Sequence, residues 1–146
     1  MDFGQFGSKM KRIAKNVPAQ ADKLTRMIGL SVDAAVVLAT PVDEGRARSN
    51  WQVQIGDSAQ DSIAPYDPGF EGSTGAANAR HAIEQGKQAI STYKSGSSIH
   101  ITNNLDYISP LNNGSSPQAD PGFVQESILI GVKQATRKFN KIIVST

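Results

Sequence analysis

Few residues in this chain are of types that do chemistry on their own, and their spacing does not gather them. There is no cysteine, which removes thiolate nucleophiles, zinc–thiolate sites and disulfides together and suits a protein made and used in a reducing cytoplasm. The two histidines, His81 and His100, are not set in any recognised metal-ligand motif. Gly69-Phe70-Glu71-Gly72-Ser73-Thr74-Gly75 is glycine-rich but lacks the Lys-Ser/Thr ending of a phosphate-cradling loop, and flexibility is expected there. Asp43-Glu44 and Asp67/Glu71 are acidic pairs that turn and loop chemistry explains. No nucleophile and base can be assembled. The sequence points to a protein that is not an enzyme and needs no metal or cofactor.

Charge is more informative than catalysis. The net charge is only +2, but residues 1–50, 51–130 and 131–146 carry balances of +3, −5 and +4, two basic ends around an acidic middle. Such asymmetry suits packing of like subunits, basic surface against acidic surface, and is equally met by a mixed solvated exterior. Lys9, Lys11, Arg12 and Lys15 follow Phe3 and Phe6. They read as an arm that docks on a neighbouring ring, as a DNA-touching tail, or as a plain soluble end. Lys133, Arg137, Lys138 and Lys141 fit the outer face of an amphipathic helix.

The positioning elements are read from periodicity. Ile13, Val17, Ala21, Leu24, Ile28, Val32, Ala35 and Ala39 recur at helical spacing. Pro18 interrupts the stripe and Asn16 can cap a fresh start, which predicts a short basic helix and then a longer one from about Val17 to Ala39, stopped by Pro41. A second helix is expected from Phe123 through Ile142, opened by Asp120-Pro121, with Glu126 early and Arg137, Lys138 and Lys141 late; its closing Ile-Ile-Val also fits a short strand. A middle helix over Ala76–Tyr93 turns Ala79, Ile83, Gly86, Ile90 and Tyr93 inward, and Gly86 weakens it by about 1 kcal/mol. Trp51–Ile55 and Ser98–Thr102 alternate as strands, His100 facing polar surroundings. Residues 57–75 form a long loop, functional or disordered. The expected fold class is α+β: one domain over 1–146, a small antiparallel sheet covered by N-terminal, middle and C-terminal helices, with 1–16 as a basic arm. No run is apolar enough for a signal peptide or a membrane span.

Thr40-Pro41-Val42-Asp43-Glu44-Gly45-Arg46 punctuates the chain: proline ends a helix and glycine supplies the positive φ of a tight reversal. Alternation carried on from Arg46 puts Ala47, Ser49, Trp51, Val53 and Ile55 on a core face, Trp51 as its anchor. It puts Arg46, Arg48, Asn50, Gln52 and Gln54 on a polar one, either solvated or lining a subunit contact or DNA-passing channel. Further on, Tyr107 and Phe123 bracket a polar loop in which Asn113-Gly114 makes a left-handed turn, a surface turn or an inter-subunit contact.

Two stretches resemble a family of tailed-phage minor tail and tail-completion (neck) proteins that includes minor tail protein Z of phage lambda. The first is Thr40–Trp51, where Thr40, Pro41, Val42, Asp43, Gly45, Arg46 and Trp51 match and Glu44 stands where threonine is common. The second is Ile101–Val124, matched at Asn104, Tyr107, Leu111, Gly114, Gln118, Gly122 and Phe123, with Asp106 replacing a frequent proline. The resemblance spans about Ile28 to Phe139 and implies a virion protein at the head–tail junction, assembled in the bacterial cytoplasm. It further implies a homo-oligomeric ring, six-fold, passing double-stranded DNA and binding neighbouring neck and tail proteins; a twelve-fold head-side connector is the alternative. A small DNA-binding protein is a weaker one, lacking any base-reading motif. The residues expected at subunit contacts or the lumen are Lys9, Lys11, Arg12, Lys15, Arg46, Arg48, Asn50, Gln52, Glu71, Tyr107, Asn113 and Gln118.

Overall fold

The computed structural model describes residues 2–42 and 45–145. In chain order the elements are α1 (Phe3–Ala39), α2 (Arg46–Ser49), β1 (Gln52–Ile55), α3 (Gly75–Ser91), β2 (Ile99–Thr102), α4 (Ile108–Asn112) and α5 (Phe123–Ser145). β1 and β2 pair antiparallel, Val53 opposite Ile101. The fold is α+β, a two-stranded sheet with a long N-terminal, a middle and a C-terminal helix. No helix among the described residues is long and apolar enough to cross a membrane.

Two strands alone make a marginal sheet, so packing must supply its stability. Val36 and Val37 of α1, Trp51, Ala79 and Ala82 of α3 and Phe123 of α5 form one buried cluster. Gln85 of α3 completes the sheet: its side-chain amide accepts from Val53 N at 3.3 Å and donates to Val53 O at 3.0 Å. The outer edge of β1 is thereby paired by a side chain where a third strand would lie. α5 runs antiparallel along α1, its buried positions Phe123, Ser127, Gly131, Ala135 and Phe139 spaced by four. Gly131 permits this approach, since a Cβ there would sit 2.6 Å from the Val32 Cα.

Several expectations are corrected. Pro18 does not divide the first helix; α1 is one 37-residue helix, and Asn16 starts nothing. The freed Ala14 carbonyl lies on an exposed stretch where solvent can serve it. The helix is started instead by a capping box, Asp2 Oδ1 accepting from Gln5 N at 2.8 Å and Gln5 Oε1 from Asp2 N at 3.1 Å. The strand does not reach back to Arg46, because Gly45, at φ 81°, turns the chain into the helical turn α2. α5 begins at Phe123, and the Val124 N–H is capped by Asn112 Oδ1 at 2.9 Å, a side chain from α4 in place of Asp120. Its closing Ile-Ile-Val is helical. α4 occupies part of the stretch expected to be only a turn, though Gly114 is left-handed at φ 101°. The middle helix runs Gly75–Ser91, so Tyr93 lies beyond it.

Candidate subunit-contact site

The stretch from Thr40 to Trp51 folds back on the end of α1, and its polar side chains do the holding. Thr40 Oγ1 donates to the Val36 carbonyl at 2.6 Å and accepts from Trp51 Nε1 at 2.8 Å. Buried tryptophan needs such a partner for its N–H. Arg48 donates to three carbonyls, Thr40, Leu38 and Gly75, at 3.0–3.1 Å. Two of these belong to the C-terminal end of α1, whose last carbonyls lack intrahelical partners and favour a cation. Burial pulls the Arg48 pKa down from its ordinary value. Asn50 is fully buried and ties α2 to the following loop, donating to the Arg46 and Ile63 carbonyls and accepting from Ile63 N.

Arg48 and Asn50 therefore do not share an outer strand face with Arg46. The four-residue helical turn Arg46–Ser49 replaces the extended stretch, rotating both side chains inward onto carbonyls. The inward set of the sequence reading fares better: Ala47, Ser49, Trp51 and Val53 are buried, Trp51 as a core anchor.

A second network ties the long loop to the body of the fold at Ala59, Asp61 and Asp67. Asn78, fully buried on α3, accepts from Ser49 Oγ at 2.7 Å and Asp67 N at 2.8 Å, and donates to the Asp67 and Thr74 carbonyls. Gln52 Nε2 and Asn104 Nδ2 both donate to the Asp61 carbonyl, and Asn104 also to Ala59. His81 Nε2 lies 3.1 Å from Asp67 Oδ2, and Tyr66 stacks on the His81 ring with centroids 5.4 Å apart. His81 thus has an acidic partner that linear spacing concealed. His100 meets Ser98 Oγ at 2.8 Å. Among the described residues no group of three or more His, Asp or Glu could hold a metal ion.

The polar network leaves a cleft of about 450 Å³ lined by Pro41, Val42, Arg46, Ala47, Tyr107, Leu111, Ser116 and Gln118. Gln118 Oε1 accepts from Val42 N at 3.2 Å across it. Three expected contact residues, Arg46, Tyr107 and Gln118, meet here. Glu71 and Asn113 are exposed elsewhere, Glu71 at a left-handed φ of 52°. Lys9, Lys11, Arg12 and Lys15 stand exposed on the first half of α1. Asp43 and Glu44, which the sequence reading assigned to turn chemistry, lie outside the described residues.

Two residues escaped the sequence reading. Asn78 was legible in principle, as a polar residue one position before Ala79 on an otherwise alanine-rich inward face. Asp33 is the other: it is 2% exposed, lies against Gly86, and its Oδ1 has no hydrogen-bond partner among the described residues. Desolvation raises its pKa from 3.8 to about 7. Burial, and secondarily the Asp33 charge, also raises the Tyr66 pKa. No family model, curated protein or solved structure matches the chain.

Proposed function

We propose that the chain is a structural, non-catalytic subunit of a tailed-bacteriophage virion, of the tail-completion or neck kind. It closes into a ring that joins tail to head and passes DNA through its lumen. One observation carries the reading: the two stretches that resemble the family, Thr40–Trp51 and Ile101–Val124, are far apart in sequence yet supply the opposite walls of one cleft. Residues brought together across a fold and left open are suited to receiving a neighbour. The mechanism is geometric: the cleft of one copy receives a surface of the next, and repetition of this heterologous contact closes a ring. Arg46 is a charged group at the rim, exposed and, among the described residues, bonded through its side chain to Ser62 Oγ at 3.5 Å, a long contact that leaves it able to turn to an acidic neighbour.

The test is electron microscopy of the purified chain with a ring count, alongside joining of heads to tails in extracts lacking the chain. Six-fold rings that restore joining are expected, and Arg46→Glu is expected to abolish both. A chain that forms no ring and is dispensable for joining would overturn the proposal. A twelve-fold ring that fails to co-purify with tails made without heads would place it on the head side.

A further inference from the structure

The two ends of α1 carry opposite charge. At its first end the helix outruns its cover: α5 lies antiparallel on it with Gly131 against Val32, and that pairing, continued, brings Ser145 level with about Pro18. Beyond that level about 22 Å of helix, at about 1.5 Å per residue, stands clear of the body. Phe3, Phe6, Met10, Ile13 and Val17 are exposed there, and Lys9 and Lys11 fall to either side of Met10. Residues 3–21 hold Lys9, Lys11, Arg12 and Lys15 and no Asp or Glu. The arm is thus an apolar strip bordered by cations, with no counter-charge of its own.

At the far end, where α1 stops and α5 starts, lies a cleft of about 230 Å³. It is lined by Ala39, Ala119, Phe123 and Ile130 together with two exposed carboxylates, Asp120 and Glu126. The chain from residue 95 to 132 holds Asp106, Asp120 and Glu126 and no Lys or Arg. Among the described residues the one ion pair is His81 with Asp67. Neither the arm cations nor the cleft carboxylates are therefore neutralised within a copy. A copy cannot serve itself either, because Phe3 and Ala39 are the two ends of one continuous helix, about 54 Å apart.

We propose that the basic arm of one copy docks in the Asp120/Glu126 cleft of a second copy, its apolar strip on the cleft floor and its cations against the two carboxylates. Charge selects this occupant. A second arm would set cation against cation, whereas the cleft offers acid and apolar surface together. Gly4, Gly7 and Pro18 lower the stability of an unsupported helix, so docking also supports a weak segment. The contact joins opposite ends of the molecule and is heterologous, so it repeats from copy to copy. It does not involve Arg46 and goes beyond the ring reading without resting on it.

The experiment is light scattering of the full chain over a dilution series at low and high salt, in the native and the Arg46→Glu background. Two charge-swapped variants are compared, Lys9→Glu/Lys11→Glu/Arg12→Glu/Lys15→Glu on the arm and Asp120→Lys/Glu126→Lys in the cleft. Association is expected at low salt and should weaken as salt is added. Each variant alone should associate about 10-fold or more weakly. An equimolar mixture of the two should recover, since each then offers the other an opposite charge. All the substituted positions are exposed, so both variants should melt close to the unswapped chain. Met10→Cys, in a chain with no other cysteine, should not crosslink to itself on oxidation. A chain that stays monomeric at low salt, a variant that associates like the unswapped chain, or folded variants whose mixture stays apart would overturn the proposal. So would Met10→Cys crosslinking, which places arm on arm, or a monomer whose arm binds duplex DNA or anionic vesicles instead. Failure of the ring reading is distinguishable, because recovery in the mixture is read in the Arg46→Glu background, where ring closure is removed.

Discussion

A buried carboxylic acid without a full set of partners should make stability fall as pH rises, and Asp33 is such a group. It is 2% exposed, with Oδ1 unpaired among the described residues, and its pKa is raised by desolvation from 3.8 to about 7. The folded protein therefore holds this proton over a pH range in which the unfolded chain has released it. Stability from this group is fully present below about pH 4 and is lost progressively up to about pH 7. At about 1.36 kcal/mol per pH unit the whole loss is about 4 kcal/mol. That is a large part of the stability of a domain this size.

Asp33→Asn removes the titration while keeping the shape. Urea unfolding of both proteins from pH 4 to pH 8, at constant ionic strength, gives the difference in stability at each pH. Groups common to both proteins cancel in the difference. The expected difference, variant minus native, climbs by about 4 kcal/mol across the range, whatever its starting value at pH 4. The starting value is set by the buried amide that the variant introduces and carries no information on Asp33 ionisation. A difference flat from pH 4 to pH 8 would refute the reasoning, because it would mean that Asp33 ionises in the fold as easily as in the unfolded chain.

Thr40→Val should destabilise by about 1–3 kcal/mol, since it keeps the volume and strands the buried Trp51 N–H; thermal unfolding with tryptophan fluorescence reads both the loss and the changed indole environment. Gly131→Ala should destabilise by about 1–3 kcal/mol despite the better helix propensity of alanine, because the added methyl meets the Val32 backbone and α5 must move away from α1; chemical denaturation measures it. Arg46→Glu, in contrast, should change stability by no more than about 0.5 kcal/mol in the same assay while abolishing ring closure, which separates a contact residue from a structural one.

How much was legible depends on the range of the forces involved. α3 and α5 were readable because each writes its inward face as a long periodic run, and β1 and β2 because alternation pairs Val53 with Ile101 and leaves polar neighbours outside. Continuing that alternation back to Arg46 failed since a single left-handed residue, Gly45, inserts a helical turn that also buries Ala47 and Ser49. The inward residues were right for a different reason. Pro18 misled because its local penalty was weighed without the solvent-exposed setting of its stretch or the Asp2–Gln5 capping box. At the candidate site, Arg46, Tyr107 and Gln118 were each named, but that they line one cleft is a product of tertiary packing. Asn78 and Asp33 act on Ser49 and Gly86 across long stretches of chain, which no periodicity reports.

The motif from Thr40 to Trp51 now divides into two sets with different meanings. Thr40, Gly45, Arg48 and Trp51 face inward: they close the end of α1, turn the chain and anchor the strand that follows. Pro41, Val42 and Arg46 face the cleft. A likeness resting on the first set speaks of how a helix is handed over to a sheet, and any subunit with that handover would keep those residues whatever it binds. On the proposed reading, specificity for a neighbour resides in the second set and in the wall opposite it, Tyr107, Leu111, Ser116 and Gln118. Substitutions in the first set are expected to act on stability, and, on that reading, only those in the second to uncouple assembly from folding.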